Sequence, residues 1–258
     1  MIAPAKINLA LAVGPVRADG KHELTTVYQP LDLADEIEVE RAGETTVTGF
    51  DDTIVRSALS LLGGEWRVRI EKRIPVAAGL GGGSSDAAAA LRQANHLLDE
   101  PLTEAELHAL AARVGADVPF FLRRGPQLGT GDGTVLEPVE LPTDYVALLL
   151  LPTGAQKRST RDVYAAFDER GGGVGYAGRA AAVRAAVASR DLVALPPNDL
   201  ASSPLAERLR GEGAFRADVS GAGPTVYALF ETAGDAERAR AAVHDLGATW
   251  IARPAWYG

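Results

Sequence analysis

The sequence predicts an α+β fold, in which strands and helices mix without a regular strand–helix–strand repeat. Residues 66–71 alternate apolar and charged side chains, which is typical of a half-buried strand. Residues 51–62 place Val55, Ala58, Leu59 and Leu62 on one helical face and are followed by two glycines, which indicates an amphipathic helix. No internal repeat of fixed period is present, so the chain is not a solenoid.

The first half holds the remaining elements in order. Residues 7–13 and 27–33 predict two strands, and residues 36–41 predict a third because Ile37 and Val39 alternate with acidic residues. A run of alanines predicts a helix from about Ser85 to Leu98. Thr103 begins another helix, because Glu106 completes a capping box with it.

The second half opens with an apolar strand at residues 145–151. A stretch rich in Ala, Arg and Gly follows, and then a strand at 225–230, a helix at 235–246 and a last strand at 249–252. We place a domain boundary just before residue 143, which gives an N-terminal unit of residues 1–142 and a C-terminal unit of residues 143–258.

Composition excludes several classes of function. The chain has 258 residues, a net charge of −8 and no cysteine, so disulfides, thiolate catalysis and Cys-ligated metals are ruled out. An acidic balance argues against a nucleic-acid partner. The longest apolar run is far shorter than the roughly 20 residues of a membrane span, so we expect no membrane partner and a cytoplasmic location.

A glycine-rich turn precedes the alanine-rich helix. Its residues are Gly79, Leu80, Gly81, Gly82, Gly83, Ser84 and Ser85. Glycines leave backbone N–H groups open to a bulky anion, and a helix N-terminus carries free donors and partial positive charge. The turn therefore predicts a phosphate site, and the alternative is a flexible linker or a tight turn with a serine cap.

The turn differs from two common phosphate motifs. It lacks the lysine of the P-loop pattern. It also has Ser84 where the dinucleotide fingerprint needs glycine, and it follows a strand end that contains Pro75. A helix of strong formers directly after the turn disfavours the linker alternative.

Three motifs in order resemble those of the GHMP kinases. They are PAKINL at residues 4–9, PVAAGLGGGSSDAA at residues 75–88 and VSGAGPT at residues 219–225. The resemblance implies an ATP-dependent kinase of two domains. The N-terminal domain would be like that of ribosomal protein S5, and the C-terminal domain would be ferredoxin-like, with the site between them.

Further segments resemble one narrower group of this family, the kinases of 4-diphosphocytidyl-2-C-methyl-D-erythritol. They are DGKHEL at 19–24, GADVPFF at 115–121, STRDVY at 159–164 and NDL at 198–200. This implies transfer of a phosphoryl group from ATP to the 2-hydroxyl of the methylerythritol moiety, in non-mevalonate isoprenoid precursor synthesis. The substrate is then a cytidine diphosphate-linked small molecule.

The resemblance assigns catalytic roles to two residues. Asp117 is the expected general base, and Lys6 is expected beside it, holding the carboxylate ionised and steadying the attacking hydroxyl. On the sequence alone, Asp117 could be a turn acid and Lys6 a surface lysine with a buried stem.

The resemblance also assigns binding roles. His22 is expected to hydrogen-bond the cytosine, Tyr164 to stack on it, and Asn8 to bind substrate. Lys21 is a departure, because the family usually carries a stacking tyrosine there. Its aliphatic stem or a cation–π contact could cover the ring instead.

Phosphate binding is assigned to Pro75 and the turn, with Mg²⁺ accompanying ATP. Ser84 and Ser85 are either phosphate contacts or helix caps, and Ser85 is the one candidate protein ligand for the metal. Four residues are expected to support the turn from the second half: Ser220, Gly221, Gly223 and Thr225. A plain turn before a strand is the alternative for these four.

Two other functions stay open at this point. One is another GHMP kinase, of the homoserine or mevalonate type, and the other is a non-catalytic nucleotide-binding protein. The loop at 19–24 and the segment at 115–121 speak against the first, whereas Lys21 speaks for it. The presence of both Lys6 and Asp117 speaks against the second.

Overall fold

A computed structural model describes residues 1–155 and 159–255 of the chain. The strands in these ranges are β1 (Ile2–Val16), β2 (His22–Arg41), β3 (Thr46–Thr48), β4 (Trp66–Glu71), β5 (Gln127–Gly131), β6 (Val135–Pro138), β7 (Val146–Pro152), β8 (Arg216–Val219), β9 (Val226–Phe230) and β10 (Gly247–Ala252). The helices are α1 (Thr53–Leu62), α2 (Gly82–Leu97), α3 (Glu104–Val114), α4 (Val118–Phe121), α5 (Thr160–Glu169), α6 (Tyr176–Ser189), α7 (Pro204–Gly211) and α8 (Ala233–Ala242).

The strands form two sheets. The first has the order β3-β4-β2-β5-β6, with β1 also paired antiparallel to β2. The second has the order β10-β7-β9-β8 and is antiparallel throughout. Every strand of the first sheet precedes residue 142 and every strand of the second follows it, while the division into domains at that point stays a prediction.

Strand β2 corrects the sequence prediction, which had two separate strands at 27–33 and 36–41. The strand is continuous through Asp35, a buried aspartate that reads as a strand break in the sequence. Its carboxylate accepts hydrogen bonds from the backbone N–H groups of Arg73 and Ile74 and from Lys72. Because these donors satisfy the carboxylate, it is tolerated inside the sheet.

Helix α2 packs across the first sheet on an alanine-rich face that includes Ala87, Ala90 and Ala94, all fully buried. Small side chains let the helix approach the strands closely. The helix begins at Gly82, three residues before the predicted start, because Gly81 takes the N-cap position in the left-handed region at φ 74°. The predicted capping box of α3, by contrast, is confirmed.

The two sheets share a buried core. Ile7 and Leu9 of β1 pack in one cluster with Leu149 of β7 and Tyr227 of β9. A second cluster lies between the first sheet and α1, α2 and α3, and a third lies between the second sheet and helices α7 and α8. The shared cluster holds the two halves together around the first strand, which also carries two of the predicted site residues.

Strands β3, β5, β6 and β8 and helices α4, α5 and α7 were not predicted. Strand β5 pairs with β2, so its formation depends on a partner about 100 residues away in the chain. Helix α6 occupies the Ala-, Arg- and Gly-rich stretch that the sequence left unassigned. Within the described ranges, no helix combines the length and the apolar character that a membrane span requires.

Candidate active site

A cleft of about 940 Å³ runs along the glycine-rich turn. Residues 75–84, which include most of the glycine-rich turn, line one side of the cleft. Residues of the β1–β2 loop and of α5 line its far end. Lys6, Asn8 and Asp117 lie among the lining residues, and so do Gly221 and Gly223 of the second half. The structure therefore brings most of the predicted site residues to one surface.

The glycine-rich turn packs directly against the loop at residues 220–225, which we call the supporting loop. Gly79 has φ +83°, and a Cβ there would stand 2.6 Å from the carbonyl oxygen of Gly223 and 2.9 Å from that of Ser220. The Ser220 hydroxyl donates to Gly79 O at 3.1 Å, and the Thr225 N–H donates to Ala78 O. Only glycine fits at position 79, so the second half fixes the shape of the turn.

Lys6 is buried, at 4% exposure, yet its ammonium reaches the cleft. Its backbone N–H donates to Leu80 O, and its stem lies against Gly81, where a Cβ would come within 3.0 Å of Lys6 Cγ. The Nζ atom donates to Asn8 Oδ1 at 2.6 Å and lies 3.4 Å from Asp117 Oδ2. Lys6 is therefore a buried, paired cation beside the start of α2, and not the surface lysine that the residue type alone suggested.

Asp117 lies directly before α4, with 35% of its side chain exposed to the cleft. Its Oδ1 accepts a hydrogen bond from the Tyr28 hydroxyl at 3.1 Å, while Oδ2 faces Lys6. Burial, and then the charge of Asp117, raises the pKa of Tyr28 well above its usual range, so the phenol stays a donor. The carboxylate is fixed by two groups and remains open to a substrate.

Asn8 holds Lys6 in place through a hydrogen bond. Its Oδ1 accepts from Lys6, and its Nδ2 donates to Thr26 Oγ1 at 2.8 Å. Its backbone N–H also donates to the Ser220 hydroxyl. Both ends of the amide have protein partners, which gives Asn8 a positioning role in addition to the substrate contact expected from the sequence.

The two serines of the turn line different cavities. Ser84 lines the cleft, but Ser85 is buried at 1% exposure and lines a small cavity on the other side of α2, beside Pro4 and Arg92. The Ser85 hydroxyl has no hydrogen-bond partner among the described residues, and its expected contact with phosphate or metal stays a prediction. Successive residues of a helix point about 100° apart, which explains why the two adjacent serine side chains line different cavities.

The far end of the cleft carries aromatic and polar groups. The ring of His22 lies 4.7 Å from that of Tyr164, tilted by 32°, and its Nε2 is 2.8 Å from Asp168 Oδ1. Phe167 contacts the edge of the same ring at 6.0 Å. His22 and Tyr164 therefore lie together at this end of the cleft, and their expected contacts with cytosine stay predictions. Asp168 is a partner of His22 that the sequence analysis missed.

Lys21 forms an ion pair at this end of the cleft. Its ammonium is 2.5 Å from Asp132 Oδ2, in the turn between β5 and β6. Burial raises the pKa of Asp132, but the hydrogen bonds from Lys21 and Thr134 outweigh it and lower the value to about 2. The pair forms a charged rim at the position of the usual family aromatic.

The other end of the cleft was not predicted. It is lined by Phe50, by the start of α1 and by Lys72. The Lys72 ammonium lies 5.7 Å from the centre of the Phe50 ring and 2.9 Å from the place of a Cβ on Gly82. This end adjoins the turn, so the cleft is continuous from the turn to Phe50 and the start of α1.

Both halves of the chain match models of known protein families. Residues 52–125 match the family described as GHMP kinases N terminal domain, and residues 176–249 match GHMP kinases C terminal. The first match contains the glycine-rich turn and Asp117, and the second contains the supporting loop.

Curated relatives match over nearly the full length. A protein of Anaeromyxobacter dehalogenans (strain 2CP-C), named 4-diphosphocytidyl-2-C-methyl-D-erythritol kinase, is 39% identical over 94% of this chain and 84% of its own length. A protein of Desulfitobacterium hafniense (strain Y51) with the same name is 38% identical over 92% of this chain and 89% of its own.

Solved structures agree with these matches. A crystal structure titled 4-(cytidine 5'-diphospho)-2C-methyl-D-erythritol kinase is 32% identical, with a TM-score of 0.78 over 99% of this chain and 98% of the other. Homoserine kinase from Cytophaga hutchinsonii shares the fold at 16% identity and a TM-score of 0.73. By its sequence matches and its two-part α+β fold, the chain belongs to the GHMP kinase family.

Proposed function

We propose that the protein transfers a phosphoryl group from ATP to the 2-hydroxyl of 4-diphosphocytidyl-2-C-methyl-D-erythritol. One observation carries the kinase reaction: a carboxylate held by Lys6 and Tyr28 faces the cleft beside a glycine-rich helix start. The substrate is proposed from the names of the relatives at 38–40% identity and from the His22–Tyr164 pair at the far end.

The chain's own residues divide the reaction between them. Asp117 accepts the proton of the attacking hydroxyl while the hydroxyl oxygen bonds to the γ-phosphorus of ATP. The bond between that phosphorus and the β–γ bridging oxygen breaks, and ADP leaves. Lys6, 3.4 Å from the carboxylate, stabilises negative charge on the hydroxyl oxygen and on the phosphoryl group. The N–H groups of the turn hold the remaining phosphates, so the phosphoryl group stays in line with the hydroxyl.

ATP supplies the phosphoryl group, and Mg²⁺ bound with it neutralises phosphate charge. The turn suits this anion, because α2 begins there with free backbone N–H groups. The glycines at 79, 81 and 82 let the turn pack closely against the rest of the protein, where a Cβ would clash. Among residues 1–155 and 159–255, no cluster of three His, Cys, Asp or Glu side chains forms a ready metal site. We therefore propose that phosphate oxygens and water provide most of the metal ligands.

A substrate panel tests the proposal. The purified chain is incubated with ATP and Mg²⁺ and one acceptor at a time: the cytidyl-methylerythritol substrate, homoserine or mevalonate. ADP formation only with the first is the expected result. Turnover only with homoserine or mevalonate would assign the chain to another kinase of the family, and no turnover with any acceptor would favour a nucleotide-binding protein.

Lys21→Tyr should lower the KM for the cytidyl substrate by about three- to tenfold, with kcat within about twofold of wild type. Stacking on a base contributes about 1–3 kcal/mol, whereas the lost ion pair is exposed on the lysine side and contributes about 0–1 kcal/mol. Steady-state kinetics with varied substrate measures this.

Arg17→Tyr is the matched control, because Arg17 lies in the same loop, pairs with Asp19 and Glu23 and is not part of the cleft lining. It should leave the KM unchanged. A Lys21→Tyr enzyme with an unchanged or higher KM would mean that the Lys21–Asp132 pair already makes the contact with the base.

A further inference from the structure

The segment NDL at residues 198–200 lies between helices α6 and α7 and has no part in the reaction described above. Asn198 is buried, at 8% exposure, and is not among the residues that line the cleft. Both polar atoms of its side chain have partners: Oδ1 accepts from the Leu200 N–H at 2.8 Å, and Nδ2 donates to two carbonyl oxygens. A buried amide with its hydrogen bonds made holds its surroundings in one arrangement.

The two carbonyl groups that Asn198 binds lie on either side of Ser220. Its Nδ2 is 2.9 Å from Val219 O, at the end of β8, and 2.6 Å from Gly221 O, in the supporting loop. An amide NH₂ group has two N–H donors, so one side chain satisfies both carbonyls. Asn198 therefore fixes the backbone before and after Ser220.

Ser220 and Gly221 in turn contact both parts of the proposed catalytic machinery. The Ser220 hydroxyl accepts from the Asn8 N–H at 3.3 Å and donates to Gly79 O at 3.1 Å. A Cβ on Gly221 would stand 3.2 Å from Asn8 Oδ1 and 3.6 Å from Lys6 Nζ. A shift of the supporting loop would therefore disturb the hydrogen-bonded Asn8–Lys6 pair and the glycine-rich turn together.

The NDL segment is itself attached to β1, the strand that carries the proposed catalytic lysine. The Asp199 N–H donates to Leu11 O at 2.9 Å. Asp199 Oδ2 accepts from the Val13 N–H at 2.8 Å and from Arg179 Nε at 2.7 Å. The segment thus connects β1 to the supporting loop, with Asp199 at one end of the connection and Asn198 at the other.

We propose that Asn198 is a positioning residue for phosphoryl transfer, which holds Ser220 and Gly221 where they fix the Asn8–Lys6 pair and the glycine-rich turn. Asn198 does not touch the reacting groups and acts through the supporting loop. The inference rests on the proposed use of ATP and of Lys6, but not on the identity of the acceptor substrate.

Asn198→Ala should lower kcat by about 10- to 30-fold with the acceptor that the substrate panel identifies. Misplacement of catalytic groups by about 1 Å can cost up to about 100-fold in rate. The Kd for ATP, measured by calorimetry without any acceptor, should rise by about three- to tenfold, because the turn loses part of its support. Single-turnover phosphoryl transfer and ATP binding are measured separately.

Asn95→Ala is the matched control. Asn95 is also a buried asparagine, at 7% exposure, whose Nδ2 donates to Leu102 O and whose Oδ1 accepts from the Leu102 N–H, but it lies outside the cleft lining. Both variants should have a lower Tm than wild type, whereas Asn95→Ala should keep kcat and the Kd for ATP within about twofold. Equal losses of function in the two variants would mean that Asn198 has only a structural role, and would overturn the proposal.

A double-mutant cycle with Ser220→Ala tests the route of the effect. In the Ser220→Ala background, Asn198→Ala should lower kcat by only about threefold further, because the hydroxyl through which the loop holds Asn8 and Gly79 is already gone. The same cycle is measured in the Kd for ATP. Effects that multiply in full in both measurements would overturn the proposal, since the two residues would then act independently.

Ser220→Ala alone decides the matter if Asn198→Ala does not fold. It removes a single hydroxyl group and should lower kcat by at least about fivefold and raise the Kd for ATP. Values within about twofold of wild type would overturn the proposal. Failure of the substrate panel, together with the expected changes in ATP binding, would instead overturn the proposed acceptor and leave this inference intact.

Discussion

Asp117→Asn should lower kcat by about 10²–10⁴-fold while the variant still binds ATP, because an amide cannot accept the proton of the attacking hydroxyl. The substitution preserves size, and the amide oxygen can still accept from the Tyr28 hydroxyl. The amide nitrogen would face the Lys6 ammonium 3.4 Å away, so the variant also loses an ion pair. Single-turnover phosphoryl transfer and ATP binding, measured separately, distinguish the chemical step from binding.

Asp132→Asn provides the comparison, since it makes the same change in another carboxylate of the same cleft that also pairs with a lysine. Its kcat should stay within about threefold of wild type, because the Asp132 carboxylate already accepts from Lys21 and Thr134 and is not the proposed base. If Asp117→Asn remained within a few-fold of wild type, Asp117 would not be the general base.

The features of the fold and of the site that could be predicted depend on residues close together in the sequence. The conformation of the glycine-rich turn can be predicted from its residue types, because Gly79 and Gly81 have positive φ, which glycine adopts readily. Strand β4 is predicted to the residue, since its alternation of buried and exposed side chains is complete within six positions. The capping box of α3 is similarly contained within four residues.

The unpredicted part depends on partners far away in the chain. Tyr28 lies on a strand that reads as core, and nothing near it in sequence shows that its hydroxyl reaches Asp117. Asp168 meets His22 across 146 positions. Lys72 follows a strand as an ordinary charged residue, and only the pairing of β2 with β4 and the packing of α2 bring two buried carboxylates to it.

Ser85 shows the limit of a motif even where it is recognised. The motif gives the residue types of the turn, but the side that each faces depends on where the helix begins. With the start at Gly82, Ser84 faces the cleft and Ser85 faces the opposite cavity. A start near Ser85, as the sequence suggested, would have left both serines before or at the first turn.

The contacts of Arg216 are a further long-range feature that the sequence does not reveal. Its side chain is 8% exposed and donates to four backbone carbonyl groups: those of Leu9, Leu192, Leu195 and Pro196. Leu9 belongs to β1, the strand that carries Lys6 and Asn8, whereas the others belong to the second half. The guanidinium therefore connects β1 to the second half of the chain through hydrogen bonds.

Arg216→Met should lower the free energy of unfolding by about 3 kcal/mol or more, because it leaves several buried carbonyl oxygens without this donor. In a chain of this size, that corresponds to a Tm lower by about 6–12 °C. Arg208→Met is the matched control: Arg208 is 55% exposed and pairs with Glu212 on the surface of α7, so its loss should cost under about 1 kcal/mol. Urea denaturation of both variants measures the difference. Equal stabilities would show that Leu9 and the other carbonyls find new partners and that the guanidinium does not hold β1 against the second sheet.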